Sequence, residues 1–386
     1  MKAAFLLALQ ALAALAAPTL KRRENTKDFD IVTDASVDVD ALLAELNLNP
    51  EMEDIFATFN NTLFKGFSGA ITDEEADFLN SKSEVITVEP VVPISIAATR
   101  GSAPWGLQRI SQSARVSGTV SARTFTYTYS DTQLGRGVDV YVVDTGIYTA
   151  HSEFGGRARV GYSYYASSAD GQGHGTHCAG TIAGSTVGVA SNANLIAVKV
   201  LGDDGRGTST GLIAGLDYVA SQHSSRQSAS GFVASVASMS LGFESRSTAV
   251  ETAVRNLAAS GVHTVVAAGN SNTNACNSSP SALGGTGSST VIGVGASNIN
   301  DAVASFSNTG PCVDVFAPGE GVVSASNTAS TGYRSLSGTS MACPHVAGLV
   351  AYQAAAQTSL RTSPSAMKTY IKNGAISGVL TRNSGK

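Results

Sequence analysis

Charge is scarce in this sequence. Only 14% of its 386 residues are Asp, Glu, Lys or Arg, and 29 acids against 25 bases leave a net charge of −4. Nothing in that balance supports a nucleic-acid or anionic-membrane partner, because either would call for a basic stripe. Aromatic residues make up 6% and include a single Trp. Long apolar runs are missing after the N-terminus, which excludes a membrane span in the body of the chain. The early run, Ala3 to Leu15, follows Met1-Lys2 and ends where Ala14 and Ala16 fit a small-x-small cleavage site. It reads as a secretory signal peptide over residues 1–16, too short for an anchor, so the mature protein is expected to be soluble, secreted and extracellular. Cysteine is also sparse: Cys178, Cys276, Cys312 and Cys343. In an oxidising compartment they permit three complete pairings, or one bridge and two free thiols. Two sequons, at Asn60 and Asn277, are candidate glycosylation sites.

What the sequence has in quantity is glycine, 40 residues, beside an ordinary 43% of hydrophobic residues. Low charge with high glycine suits a compact, loop-rich α/β domain with buried strands. Composition shifts near residue 100. Residues 17–97 are acidic and poor in Gly. They show a helical pattern over Val39–Leu46, strand-like runs at Leu63–Ile71 and Val85–Val88, and a helix start at Thr72, which predicts a small α+β domain. Pro90 and Pro93 mark an extended exit. Beyond it, nearly continuous apolar runs predict strands at 138–143, 194–201, 233–239, 262–268 and 290–295. Helical patterns at 210–222 and 248–259 lie between them. That alternation predicts a doubly wound, mostly parallel sheet with helices on both faces. Ligands of such sheets bind beyond the carboxyl ends of the strands.

Four motifs fall at those ends. Asp144 closes the strand over 140–144, where a carboxylate points into the crevice. His174 lies in Gly171–Gly180 (GQGHGTHCAG), a Gly-rich turn opening a helix. Asn270 closes the strand in Val266–Asn270 (VAAGN). Ser340 lies in Ser337–Gly348 (SGTSMACPHVAG), where Pro344 suits the first turn of a helix and places Ser340 at its N-terminus. A serine hydroxyl becomes nucleophilic only when an imidazole takes its proton. The imidazole needs a carboxylate to hold its tautomer and stabilise its positive charge. The oxyanion that forms needs aimed donors, here the Asn270 amide and the Ser340 N–H. Zinc at His174 and His177 lacks a third ligand at motif spacing. A Gly-x-Ser-x-Gly elbow is absent around Ser340, which disfavours an α/β-hydrolase.

These four blocks, in the order Asp, His, Ser given for subtilisin, resemble the signature blocks of the subtilisin family of serine peptidases. Ala103–Ser111 (APWGLQRIS), Cys178 and Met239–Gly242 (MSLG) resemble the proteinase K branch. The resemblance covers about residues 103–355 and implies a secreted serine endopeptidase with no catalytic cofactor, acting as a monomer on protein and peptide substrates bound as extended strands. It implies that Gly205 and Gly207, with Ser240, Leu241 and Gly242, sandwich the substrate, and that Ala267, Ala268 and Gly269 wall an uncharged S1 pocket for apolar or aromatic P1 groups. Residues 29–90 resemble the family's inhibitory propeptide. The implied organisation is signal peptide 1–16, propeptide 17–97 acting as intramolecular inhibitor and chaperone, and catalytic domain 98–386, with the propeptide removed by the enzyme itself.

The resemblance also implies a Cys276–Cys312 bridge, with Cys178 and Cys343 buried and free. Asp139 and Ile292 stand where fungal relatives carry further cysteines. Asp314 matches a calcium-binding carboxylate of the branch, with the carbonyls of Ser289 and Val291 as co-ligands, so one structural Ca²⁺ is expected. A second site is expected to be lost, because Ala375 stands where Asp would be.

Overall fold

The computed structural model describes residues 23–91, 97–285, 287 and 289–381, so the expected signal peptide lies outside the described residues. The chain divides into two compact units, 1–94 and 95–386. The expected boundary at Ala97/Ala98 falls just past that division, and Ala98 opens the first strand of the second unit. No helix among the described residues is long and apolar enough to cross a membrane.

The first unit runs β1 (Lys27–Thr33), α1 (Val39–Glu45), β2 (Ile55–Asn60), β3 (Lys65–Ile71), α2 (Asp73–Asn80) and β4 (Val85–Pro90). Its strands form an antiparallel sheet in the order β2-β3-β1-β4, the split βαβ arrangement. Phe29, Ile31, Leu42, Leu43, Phe67 and Leu79 fill its core. A reciprocal capping box between Thr72 and Glu75 starts α2, as the Thr72 signal predicts. Strand β2 was not anticipated: it is an edge strand with one buried residue, so it lacks a clear period of two.

The second unit opens with β5 (Ala98–Ala103), α3 (Trp105–Arg109) and β6 (Phe125–Tyr129). Its centre is a seven-stranded sheet in which every pair is parallel, ordered β13-β12-β11-β10-β7-β9-β8. These strands are β7 (Val138–Asp144), β8 (Ala158–Ser163), β9 (Asn194–Lys199), β10 (Ala234–Met239), β11 (His263–Ala267), β12 (Ile292–Ser297) and β13 (Val315–Pro318). Around them run α4 (His174–Ala183), α5 (Ser209–Arg226), α6 (Thr248–Ala259), the hairpin β14 (Val322–Ala325) and β15 (Tyr333–Leu336), α7 (Thr339–Ala356) and α8 (Pro364–Asn373). All of β7 is buried, and its residues alternate between the two faces. Val140 and Val142 pack with Cys178 and Ile182 of α4 and Val346 of α7. Tyr141 and Val143 pack with Leu212 of α5 and Val254 of α6. The sheet is therefore doubly wound. Its winding reverses at β7, which has β9 on one side and β10 on the other.

Two sheet-edge strands lack a clear pattern in the sequence. Strand β8 is mostly half-exposed, and β13 has four residues and ends in Pro318, which suits an edge because it cannot donate to a ladder.

Candidate active site

Asp144 is the last residue of β7, at the point where the winding reverses, and is fully buried. His174 is the first residue of α4, entered through Gly173 in the left-handed conformation at φ 89°. Its Nδ1 lies 2.8 and 3.0 Å from the two Asp144 carboxylate oxygens. Gly175 allows this approach, since a Cβ there would lie 2.1 Å from the Gly146 carbonyl oxygen. Asp170, absent from the sequence expectations, accepts from the Gly173 and Thr176 N–H groups and from both the Thr145 and Thr176 hydroxyls. It thereby ties the turn before α4 to the end of β7. The only sequence signal for it was an acid beside a Gly-rich turn.

Burial works against a protonated His174, but the Asp144 carboxylate outweighs it, with Cys178 adding to the effect, and the pKa is raised well above 6.5. His177 faces elsewhere. Its Nε2 donates to the carbonyls of Val322 and Arg334 at 3.0 and 3.2 Å, and burial pushes its pKa down to about 3. It is a neutral side chain bracing the β14–β15 hairpin, so the two histidines of the motif do not converge on a shared ion.

Ser340 is the second residue of α7. Its hydroxyl donates to the Ser240 carbonyl at 3.1 Å. The helix begins earlier than expected, because Pro344 is its sixth residue and not part of its first turn. A proline there leaves the Ser340 carbonyl without its usual N–H donor. The Ser240 hydroxyl at 2.9 Å and the Cys178 thiol at 3.4 Å serve that carbonyl instead. Cys178 also lies 3.9 Å from His174 Nδ1, so it sits beneath the imidazole. Burial raises its pKa against the pull of His174 and keeps it a thiol.

Asn270 is exposed just past β11. Its Oδ1 accepts from the Thr339 N–H at 2.7 Å and the Thr339 hydroxyl at 2.9 Å, which leaves its NH₂ group as the outward donor. A Cβ on Gly338 would lie 3.5 Å from both Asn270 Nδ2 and the Ser340 nitrogen, so the two nitrogens lie close to one point that glycine leaves unfilled. The Ser340 N–H, in the first turn of α7, has no carbonyl one turn back to bind. Thr339 was missed in the sequence, and so was Asn308. The Asn308 amide donates to the Ala268 carbonyl, and its Oδ1 accepts from the Ser271 and Thr273 N–H groups, which fixes the loop after β11.

Gly205, Gly207, Ser240, Leu241 and Gly242 line one cleft of about 420 Å³ together with His174. Ala267 and Ala268 are buried at the end of β11, and Gly269 follows them, next to Asn270.

The subtilase family profile (Peptidase_S8) matches residues 135–385. The chain belongs to the subtilase family. It is 43% identical to proteinase R of Parengyodontium album over 75% of this chain and 70% of the relative. It is 44% identical to a cuticle-degrading protease of Metarhizium anisopliae, over 82% and 77%. A solved cold-adapted subtilisin-like serine proteinase superposes with a TM-score of 0.61 at 39% identity, covering 72% of this chain and 95% of that one. This subtilase is thus a serine endopeptidase of the proteinase K type.

Cys276 and Cys312 are bridged, closing 36 residues of sequence separation, while Cys178 and Cys343 are buried and free. On the chain-entropy account a loop of that size contributes up to about 4 kcal/mol. Asn60 and Asn277 are both exposed. The expected calcium ligands do meet, but not around space for an ion. The Asp314 carboxylate and the carbonyls of Ser289 and Val291 converge on the ammonium of Lys368. The side chain of Lys368 thus stands among the three groups, which at this position do not offer the open oxygen cage that Ca²⁺ requires.

Proposed function

We propose that this subtilase is a secreted, self-processing endopeptidase in which Asp144, His174 and Ser340 form the catalytic triad and Asn270 completes the oxyanion hole. The observation that carries the reading is that Asn270 Nδ2 and the Ser340 nitrogen lie equally close, 3.5 Å, to the point a Gly338 Cβ would occupy, at the start of the helix that carries Ser340. The substrate lies extended between segments 205–207 and 240–242. Among the described residues these make no ladder with another strand beyond a single bridge from Gly207 to Leu201, so their backbone groups suit strand addition. The uncharged wall at Ala267–Gly269 suits apolar or aromatic P1 groups.

In acylation the Ser340 proton passes to His174 Nε2 as Oγ attacks the scissile carbonyl carbon. Asp144 keeps the other imidazole proton on Nδ1 and stabilises the imidazolium. The carbonyl oxygen takes the negative charge between the two donors, at the positive end of α7. His174 then gives its proton to the departing amine as the C–N bond breaks. A water, deprotonated by the same imidazole, releases the acyl group.

The Asn270→Ala variant is expected to lose about 10²–10³ in kcat, the size of one oxyanion donor in subtilisin, with KM nearly unchanged. Steady-state kinetics on peptides varied at P1 would read both quantities, and an unaltered kcat would end the assignment.

The general base must be neutral to accept a proton. With a pKa raised above 6.5, His174 is charged and idle at acid pH, and kcat/KM is expected to climb as pH rises through that pKa. A kcat/KM profile with its acid midpoint at or below 6.5 would contradict the role given to Asp144.

We further infer that residues 1–16 direct secretion and that 17–97 form an inhibitory propeptide, removed by cleavage at Ala97/Ala98. Support comes from the separate compact fold of the first unit, with its own core. Residues 92–96 of that segment lie outside the described residues.

A further inference from the structure

We propose that the Lys368 ammonium is the resident cation of the Asp314 site, so that this subtilase carries in its own sequence the charge that an ion would otherwise supply there. Lys368 lies on α8, where Ser363 caps the helix and Pro364 opens its first turn. Its Nζ reaches Asp314 Oδ2 at 3.1 Å, the Val291 carbonyl at 2.8 Å and the Ser289 carbonyl at 3.2 Å. Three oxygens match the three protons of an ammonium, and the distances are those of N–H···O bonds. Calcium requires six to eight oxygens at about 2.3–2.6 Å, and the Nζ occupies the point where it would sit.

The charge balance points the same way. Asp314 has a fully buried side chain, and its Oδ2 also accepts from the Gly285 and Gly293 N–H groups at 2.8 and 2.9 Å. A second ammonium, Lys372 one turn further along α8, stands 3.3 Å from Oδ1. A single carboxylate thus already faces two positive charges. A divalent cation would enter against both and would have to expel Lys368, which is itself largely buried. The arrangement also has a structural consequence. Through Lys368, α8 is fastened to the segment leading into β12 and to the residue before β13, so the sheet edge and the C-terminal helix are held by one side chain.

The test uses the full-length chain carrying Ser340→Ala, which prevents self-digestion. Its thermal unfolding is followed in millimolar calcium and in chelator, alone and with Asp314→Asn or Lys368→Met added, and calcium binding is titrated calorimetrically on the first two proteins. With Lys368 present, the midpoint is expected to be the same in calcium and chelator, apart from any difference that persists in Asp314→Asn. Lys368→Met is expected to lower the midpoint by several degrees in chelator. A calcium-dependent rise in the Lys368-containing chain that Asp314→Asn abolishes would overturn the proposal, as would a Lys368→Met chain with an unchanged midpoint. Should Lys368→Met fail to fold, the calorimetric comparison of the other two decides: calcium binding that depends on Asp314 rejects the proposal, and its absence supports it.

Discussion

The Ser340→Ala chain is expected to accumulate at its unprocessed length and to hydrolyse no peptide, with kcat reduced by about 10⁶, the loss found when a subtilisin loses its serine. Two features make the loss this large. Among the described residues no other nucleophile stands ready: the Cys178 thiol lies near the same imidazole, but it is fully buried, its pKa is raised by that burial, and its S–H donates to the Ser340 carbonyl. In the proposed mechanism the remaining machinery also has nothing to act on, because His174 and the oxyanion donors serve a bond that only Ser340 Oγ forms. N-terminal sequencing of the protein secreted from a protease-free host separates the two parts of the claim. Normal maturation of the variant would show that another enzyme removes residues 17–97. Residual turnover near the wild-type rate would mean that Ser340 is not the nucleophile.

The second large effect is expected at Asp144. The Asp144→Asn variant should keep its fold and lose about 10⁴ in kcat, as a triad does when its carboxylate becomes an amide. The local hydrogen bonds explain why. Asp144 Oδ1 accepts the Thr145 N–H at 2.7 Å, so the oxygen of an asparagine would keep that partner. Its NH₂ group would then face His174 Nδ1, which now sits 2.8 and 3.0 Å from carboxylate oxygens. An imidazole facing a donor places its own proton on Nε2, the atom that must receive the proton of Ser340. The acid limb should also move to lower pH, since the carboxylate that raises the His174 pKa is gone. Rates across a pH series, beside an unchanged circular dichroism spectrum, would check both consequences. A variant with the wild-type rate at neutral pH would remove Asp144 from the mechanism.

Most of the central sheet was legible because its strands are covered on both faces and appear as short apolar runs between glycine-rich turns. Asp144 and Asn270 stand at the ends of two such runs, and His174 and Ser340 at the starts of two helices. The pattern alone therefore places all four at one end of a parallel sheet. Strand β1 is also unnamed in the sequence analysis although it is central and its burial alternates, whereas β2, β8 and β13 are unnamed for the reason opposite to that of the central runs. Those three lie at edges, are short or half-exposed, and present no steady period.

The sequence by itself determined the family, the inner strands of the sheet and the motif residues, since these depend on local pattern and on residue types the chemistry cannot exchange. Only the tertiary structure decided how those residues are held and oriented. Asp170, Thr339 and Asn308 act by satisfying polar groups distant along the chain, and such pairings have no local signature. Pro344 fell at the sixth residue of α7 because Ser240 and Cys178, from two other elements, take over the carbonyl it leaves bare. The cation at Asp314 shows the limit most clearly. Asp314, Ser289 and Val291 were named as calcium ligands and do converge, but the ammonium that fills their site comes from α8. Only packing could bring it there, because a carboxylate and two carbonyls define a site for positive charge without specifying whether an ion or a side chain supplies it.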